Sequence, residues 1–225
     1  MDTTVNSPPT TPRGILRQLP SIPDPAWPLS AEAAPGTPQA LFWQWLQFAV
    51  ESGVPEPHAM TLSTVGADGA PDARVLILKD LDARGWHFST DAASPKGRQI
   101  AAQPRVALTF YWPRLGRQIR IRGTAVALDA AVGQADFRAR SLAARATALI
   151  GRQSQPLAAL AELDDRVATM RRCLEVAPDI YAPCWSVYAV APQSVEFWQG
   201  DRDRRHLRLS YTQQPDGWRR EMLWP

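Results

Sequence analysis

The sequence predicts a mainly β fold, a barrel or sandwich with helices added. Three observations carry this prediction. Short runs rich in Val, Ile, Phe, Trp and Tyr recur between residues 60 and 223. Turn signals such as Asp68-Gly69 separate them. Helical spacing or capping is confined to a few segments between those runs.

Residues 1–36 are rich in proline, serine and threonine, a composition that favours a mobile tail over packed structure, and one domain is expected over 37–225. Pro38 suits the first turn of a helix, where its missing N–H does no harm. Leu41, Phe42, Trp45, Leu46 and Ala49 then recur at helical spacing up to Gly53. Strands are expected at Met60–Val65 and Asp72–Lys79 around the Asp68-Gly69 turn, and at Trp86–Thr90 after Gly85. Ser94-Pro95 joins an N-cap residue to a proline at the first helical position and opens a helix to about Ala102. Val106–Trp112 and Gln118–Leu128 are further strands, and residues 131–140 and 156–175 are expected to be helical. Ser186–Val190, Ser194–Trp198, Leu207–Tyr211 and Trp218–Leu223 complete the β content.

Composition narrows the function classes. The net charge of +3 is too small to argue for nucleic acid, and the sequence lacks a recognisable nucleic-acid module. Cys173 and Cys184 cannot make a disulfide framework, so reduced thiols in a cytoplasmic protein are expected. His58, His87 and His206 lack metal-ligand spacing, so no metal is expected. No apolar stretch is long enough to span a membrane, and prolines interrupt residues 8–28, where a signal peptide would need an apolar core.

Chemistry concentrates in a few motifs. Val195-Glu196-Phe197-Trp198-Gln199-Gly200 is followed by Arg202, Arg204, His206 and Arg208. Arg204, His206 and Arg208 alternate, so an extended chain projects them from one face beside the Trp198 indole, a surface suited to a flat anionic ring. Taken alone, the pattern also fits an edge strand with solvated arginines. Arg74 and Lys79 bracket Val75-Leu76-Ile77-Leu78, and a straight strand aims the two cations at opposite faces. Phe88-Ser89-Thr90-Asp91 precedes Ser94-Pro95-Lys96, where a helix N-terminus, Lys96 and the Thr90 hydroxyl can surround a phosphate. In Arg117-Gln118-Ile119-Arg120-Ile121-Arg122, alternation puts Gln118, Arg120 and Arg122 outward and the isoleucines inward.

From about Ala59 to Pro225, the order of these motifs resembles that of the pyridoxamine 5'-phosphate oxidase family. The Glu196–Gly200 run, Arg204, His206 and Arg208 carry the strongest match, joined by Arg74–Lys79 and Arg152-Gln153-Ser154-Gln155. The resemblance implies an FMN-binding split β-barrel working as a homodimer. It implies FMN contacts from Arg74, Val75, Leu76, Ile77, Leu78, Lys79, Ser89, Thr90, Lys96 and Gln118. From the partner subunit, it implies contacts by Gln153, Ser154 and Trp198, with Arg208 also against FMN. Substrate contacts are implied for Lys79, Arg140, Arg204 and His206, with Arg204 and His206 over the substrate ring. The implied reaction oxidises pyridoxine or pyridoxamine 5'-phosphate to pyridoxal 5'-phosphate, with O2 as acceptor and H2O2 as by-product.

The sequence also departs from the family pattern: Pro95 replaces an arginine, Asp136 a tyrosine and Ala144 a serine, and Arg205 and Leu207 stand where the family has a leucine and an aspartate. They keep two alternatives open. One is an FMN oxidase acting on a different ring, like the relative in phenazine biosynthesis. The other is a flavin-binding protein without turnover.

Overall fold

The computed structural model describes residues 11–20, 22 and 29–225. In chain order the elements are α1 (Pro12–Gln18), α2 (Pro38–Glu51), β1 (Ala59–Val65), β2 (Pro71–Ile77), β3 (Asp80–Asp82), β4 (Gly85–Asp91), α3 (Pro95–Ala102), β5 (Arg105–Trp112), β6 (Arg117–Ala127), α4 (Ala130–Ala139), α5 (Leu142–Leu149), α6 (Leu160–Val176), β7 (Trp185–Gln199), β8 (Leu207–Gln214) and β9 (Gly217–Met222).

The strands form one antiparallel sheet in the order β2-β1-β5-β6-β7-β4-β3, with β8 and β9 added beyond β7. The segment after β2 draws the two edges together: the Leu78 N–H donates to His58 O and the Lys79 N–H to His87 O. The result is the expected split β-barrel with helices. Its inside follows from strand alternation, since β6 buries Ile119, Ile121 and Gly123 while Arg120 and Arg122 face out. Helix α2 lays its apolar face on this core. Phe42 meets Trp86 at 5.5 Å and Phe110 at 4.9 Å, and Trp45 meets Phe197 at 5.2 Å, all edge to face.

Strand β7 organises the molecule. One edge pairs with β6; the other pairs with β4 along its first part and with β8 along its last. The sequence predicts two strands here, Ser186–Val190 and Ser194–Trp198. The structure runs straight through for 15 residues. A register shift at Arg122/Gly123 absorbs the irregularity. Gly123 is required there, because a Cβ would sit 2.2 Å from Ala191 O.

Two helices and one strand also differ from expectation. Helix α5 is an addition, capped by the Ser141 hydroxyl, which accepts from the Ala144 N–H at 3.3 Å. Helix α6 begins at Leu160 rather than 156, leaving Pro156 in the preceding loop. Strand β2 ends at Ile77, short of Lys79.

Part of the expected tail, residues 1–10, 21 and 23–28, lies outside the described residues. Among the rest, α1 buries no residue, whereas Leu29 and Ala34 join the core. Pro35 O accepts from the Tyr211 hydroxyl at 2.8 Å. Packing on the barrel therefore begins before residue 36.

Candidate active site

Lys96 is buried in the first turn of α3, at 7 % exposure. Its ammonium donates to Thr90 Oγ1 at 3.2 Å and Ser94 Oγ at 3.4 Å. Among the described residues, no carboxylate lies within ion-pair distance of it. Burial pushes its pKa down, and the nearby Arg74 charge pushes it further, against smaller opposing effects from Asp91 and Asp72. The helix start is firmly built: Ser94 Oγ accepts from the Gly97 N–H at 3.2 Å, and a Cβ on Gly97 would meet Ala92 O at 2.3 Å. A buried ammonium answered only by hydroxyls, beside a helix N-terminus, favours an anion.

Arg74 adjoins this site but is heavily engaged. It donates to Thr64 Oγ1 at 2.6 Å and Gln99 Oε1 at 3.1 Å, and pairs with Asp72 at 2.5 Å. Its neighbours Val75 and Ile77 are exposed, while Leu76 and Leu78 pack against the core. Thr90 faces Lys96. Ser89, next along the strand, points to the other face, where its buried hydroxyl has no partner.

Lys79 and Arg140 meet around Asp136. The Lys79 ammonium lies 3.7 Å from Asp136 Oδ1, and the Trp185 indole N–H donates to Asp136 Oδ2 at 2.8 Å. The Arg140 guanidinium lies over the Trp185 ring, 4.1 Å from its centroid. Burial lowers the Arg140 pKa and Asp136 partly restores it. Arg140 and Trp185 line a cavity of about 670 Å3 with Asp91, Ala144, Gln153 and Arg152. Gln153 thus shares a cavity with Arg140 within one chain. Ser154 is exposed, with a left-handed backbone at φ 66°.

The remaining predicted residues lie at the far end of β7. Trp198 stands opposite Gln118 on β6 and Arg208 on β8. The His206 ring is 4.9 Å from the Trp198 ring. The Asp201 N–H donates to His206 Nδ1 at 3.2 Å, so a neutral ring carries its proton on Nε2 and offers it as a donor. Arg204 is exposed at φ 64°, in a turn closed by its N–H donating to Asp201 O. Arg208 binds Glu196 rather than standing open.

The predicted residues therefore fall into two groups within one chain. Thr90, Lys96, Lys79 and Arg140 gather near Trp185; Trp198, Arg204, His206 and Arg208 gather near Gln199. Trp185 and Gln199 are the two ends of β7, roughly 45 Å apart along the strand at about 3.3 Å per residue. Sequence reasoning missed Trp185 and Glu196 as parts of these groups. Asp80, Asp82 and His87, though distant by metal-ligand spacing, come within 4.8 Å of one another. Asp82 there is already paired with Arg84 at 2.6 Å and His87 at 3.0 Å.

No helix among the described residues is long and apolar enough to cross a membrane. Comparison with known proteins agrees with the fold and motif order. Residues 46–174 match the family model described as pyridoxamine 5'-phosphate oxidase, and residues 185–225 match the pyridoxine 5'-phosphate oxidase C-terminal dimerisation region. A pyridoxine/pyridoxamine 5'-phosphate oxidase of Pseudomonas paraeruginosa is 46% identical over 200 residues, covering 88% of this chain and 93% of the relative. One from Thermosynechococcus vestitus is 44% identical over 185 residues, covering 82% and 87%. Among solved structures, PhzG from Burkholderia lata, in complex with tetrahydrophenazine-1-carboxylic acid, superposes with a TM-score of 0.81 at 31% identity, covering 86% of this chain and 95% of that one. On these matches, the chain belongs to the pyridoxamine 5'-phosphate oxidase family.

Proposed function

We propose that this chain is a cytoplasmic, homodimeric FMN-dependent oxidase that converts pyridoxine or pyridoxamine 5'-phosphate to pyridoxal 5'-phosphate, with O2 as acceptor and H2O2 as product. The buried Lys96 ammonium carries the reading. Its hydroxyl partners leave the charge unanswered, and the adjoining helix N-terminus adds donors of the same sign, which fits the phosphate of a flavin nucleotide. Bound FMN would supply the hydride acceptor for the substrate carbon.

The side chains of this protein then bind and orient. Lys96, Thr90 and Arg74 hold the cofactor phosphate. Lys79 and Arg140 take the substrate phosphate, while Arg204 and the Nε2–H of His206 orient the ring. The distance between the two groups along β7 supports a homodimer, in which the Trp185 end of one chain meets the Trp198 end of its partner. The family's C-terminal dimerisation region, matched over residues 185–225, supports the same assembly.

The absorbance spectrum of the purified protein tests the reading. A flavin band that pyridoxine 5'-phosphate bleaches without oxygen is expected. Protein that stays colourless with added FMN would remove the cofactor assignment, and a flavin band that substrate leaves unchanged would remove the substrate. The pairing of Asp136 with Lys79 favours a second reading, an FMN oxidase for another anionic ring.

A further inference from the structure

We propose that Asp136 is a specificity-determining residue: it occupies, on Lys79, the place a substrate anion would take, and so discriminates against doubly charged groups. This rests on the reading that Lys79 and Arg140 face the substrate.

Asp136 lies in the last turn of α4 and Arg140 caps the C-terminus of that helix, so both reach Trp185 from the same end of α4. Trp185 serves each differently. Its ring edge donates to Asp136 at 2.8 Å, and its ring face carries Arg140 at 4.1 Å. The carboxylate therefore has one oxygen fixed by the indole and the other 3.7 Å from Lys79, while Arg140 stands on the far side of the same indole, on its ring face.

The frame cannot easily shift. Phe137 is fully buried and packs edge to face on Trp185 at 6.1 Å. Helix α4 presses on β7 so closely that a Cβ at Gly133 would lie 2.6 Å from Trp185 O. An incoming anion must compete with a carboxylate that is held in place. With Asp136 present, this trio of charged groups carries a net charge of one rather than two. The cost of that competition rises with the charge on the ligand, because the repulsion from Asp136 does. A ring bearing a single negative charge loses less than one bearing a phosphate dianion.

The probes are 4-deoxypyridoxine 5'-phosphate and 4-deoxypyridoxine, which lack both an oxidisable C4' hydroxyl and a reactive aldehyde. Their affinities for FMN-loaded protein are measured by calorimetry, with no turnover involved. Asp136→Asn keeps the acceptor for the indole and removes the charge. It should bind the phosphorylated probe about five- to tenfold more tightly, with the unphosphorylated probe unchanged. Trp185→Phe keeps the ring face for Arg140 and releases Asp136 from its donor. The carboxylate then commits more fully to Lys79, and the phosphorylated probe should bind more weakly. An Asp136→Asn protein of normal flavin content that binds the phosphorylated probe no better than wild type, or not at all, overturns the proposal. Failure of pyridoxine 5'-phosphate to bleach the wild-type flavin would instead overturn the oxidase reading, whatever the probe affinities.

Discussion

Glu196 holds Arg208 at two points, Arg208 Nε to Oε1 at 2.9 Å and Nη2 to Oε2 at 3.2 Å, and also accepts a hydrogen bond from Arg120. Arg208 in turn donates to Trp224 O at 2.8 Å, so the carboxylate braces both the β7–β8 pair and the chain end. Burial alone would raise the Glu196 pKa. The hydrogen bonds and charges of Arg208 and Arg120 outweigh it and hold the group below its usual value. A carboxylate whose folded pKa lies below its unfolded one stabilises the fold above the unfolded value, near 4.5, and loses that contribution as pH falls through the folded value. Glu196→Gln should therefore cost about 1–2 kcal/mol at pH 7 by urea denaturation, discounted for the exposure of Arg120, and should flatten the acid loss of stability below pH about 4.5. Identical acid profiles for variant and wild type would contradict this.

Lys96→Met should separate ligand binding from folding. Removing the ammonium should strip FMN, read as lost flavin absorbance in protein that remains folded. The flavin-free variant should also melt a few degrees higher than flavin-free wild type, because a buried cation costing on the order of 1 kcal/mol is gone. A depressed lysine pKa fixes the sign. The cost is full below the folded pKa and fades as pH rises toward the unfolded one, so the gain in melting temperature should shrink at alkaline pH.

Arg204→Ala should keep its flavin and lose turnover by about 100-fold, the usual scale for a misplaced reactant. The residue is exposed in a turn, so folding should be unaffected. Unchanged steady-state rates would take Arg204 out of the site.

Mixing inactive variants tests the division along β7. If each site joins Lys96 of one chain to Arg204 of its partner, a dimer of one Lys96→Met chain and one Arg204→Ala chain has one site with both defects and one with neither. Co-refolding the two should restore activity toward that of one intact site per mixed dimer. If each site were built within one chain, the mixture would stay inactive.

Much of this molecule was legible in its sequence, and the exceptions have physical causes. Alternation located the strands and put Gln118, Arg120 and Arg122 outward, because a half-buried strand must repeat every two residues. Ser94-Pro95 located the start of α3, because capping is a local event. The continuity of β7 was hidden, since Pro192 pairs with Gly123 on another strand, where the missing side chain lets the two backbones come close. The partners of Lys79 and Arg208 were hidden for the same reason. Asp136 reaches Lys79 through the docking of α4 on β7, and Glu196 reaches Arg208 through strand register. Nothing in the spacing of Asp80, Asp82 and His87 announces their proximity, which the β3–β4 hairpin creates.

The position of Lys96 has a consequence for the life of the protein in a cell. On the proposed reading, the ammonium penalises the empty fold and rewards the filled one, so bound FMN would act as a folding ligand as well as a reactant partner. Scarcity of that anion would then show itself first as faster proteolytic clearance of the chain, and only afterwards as a pool of intact but idle molecules.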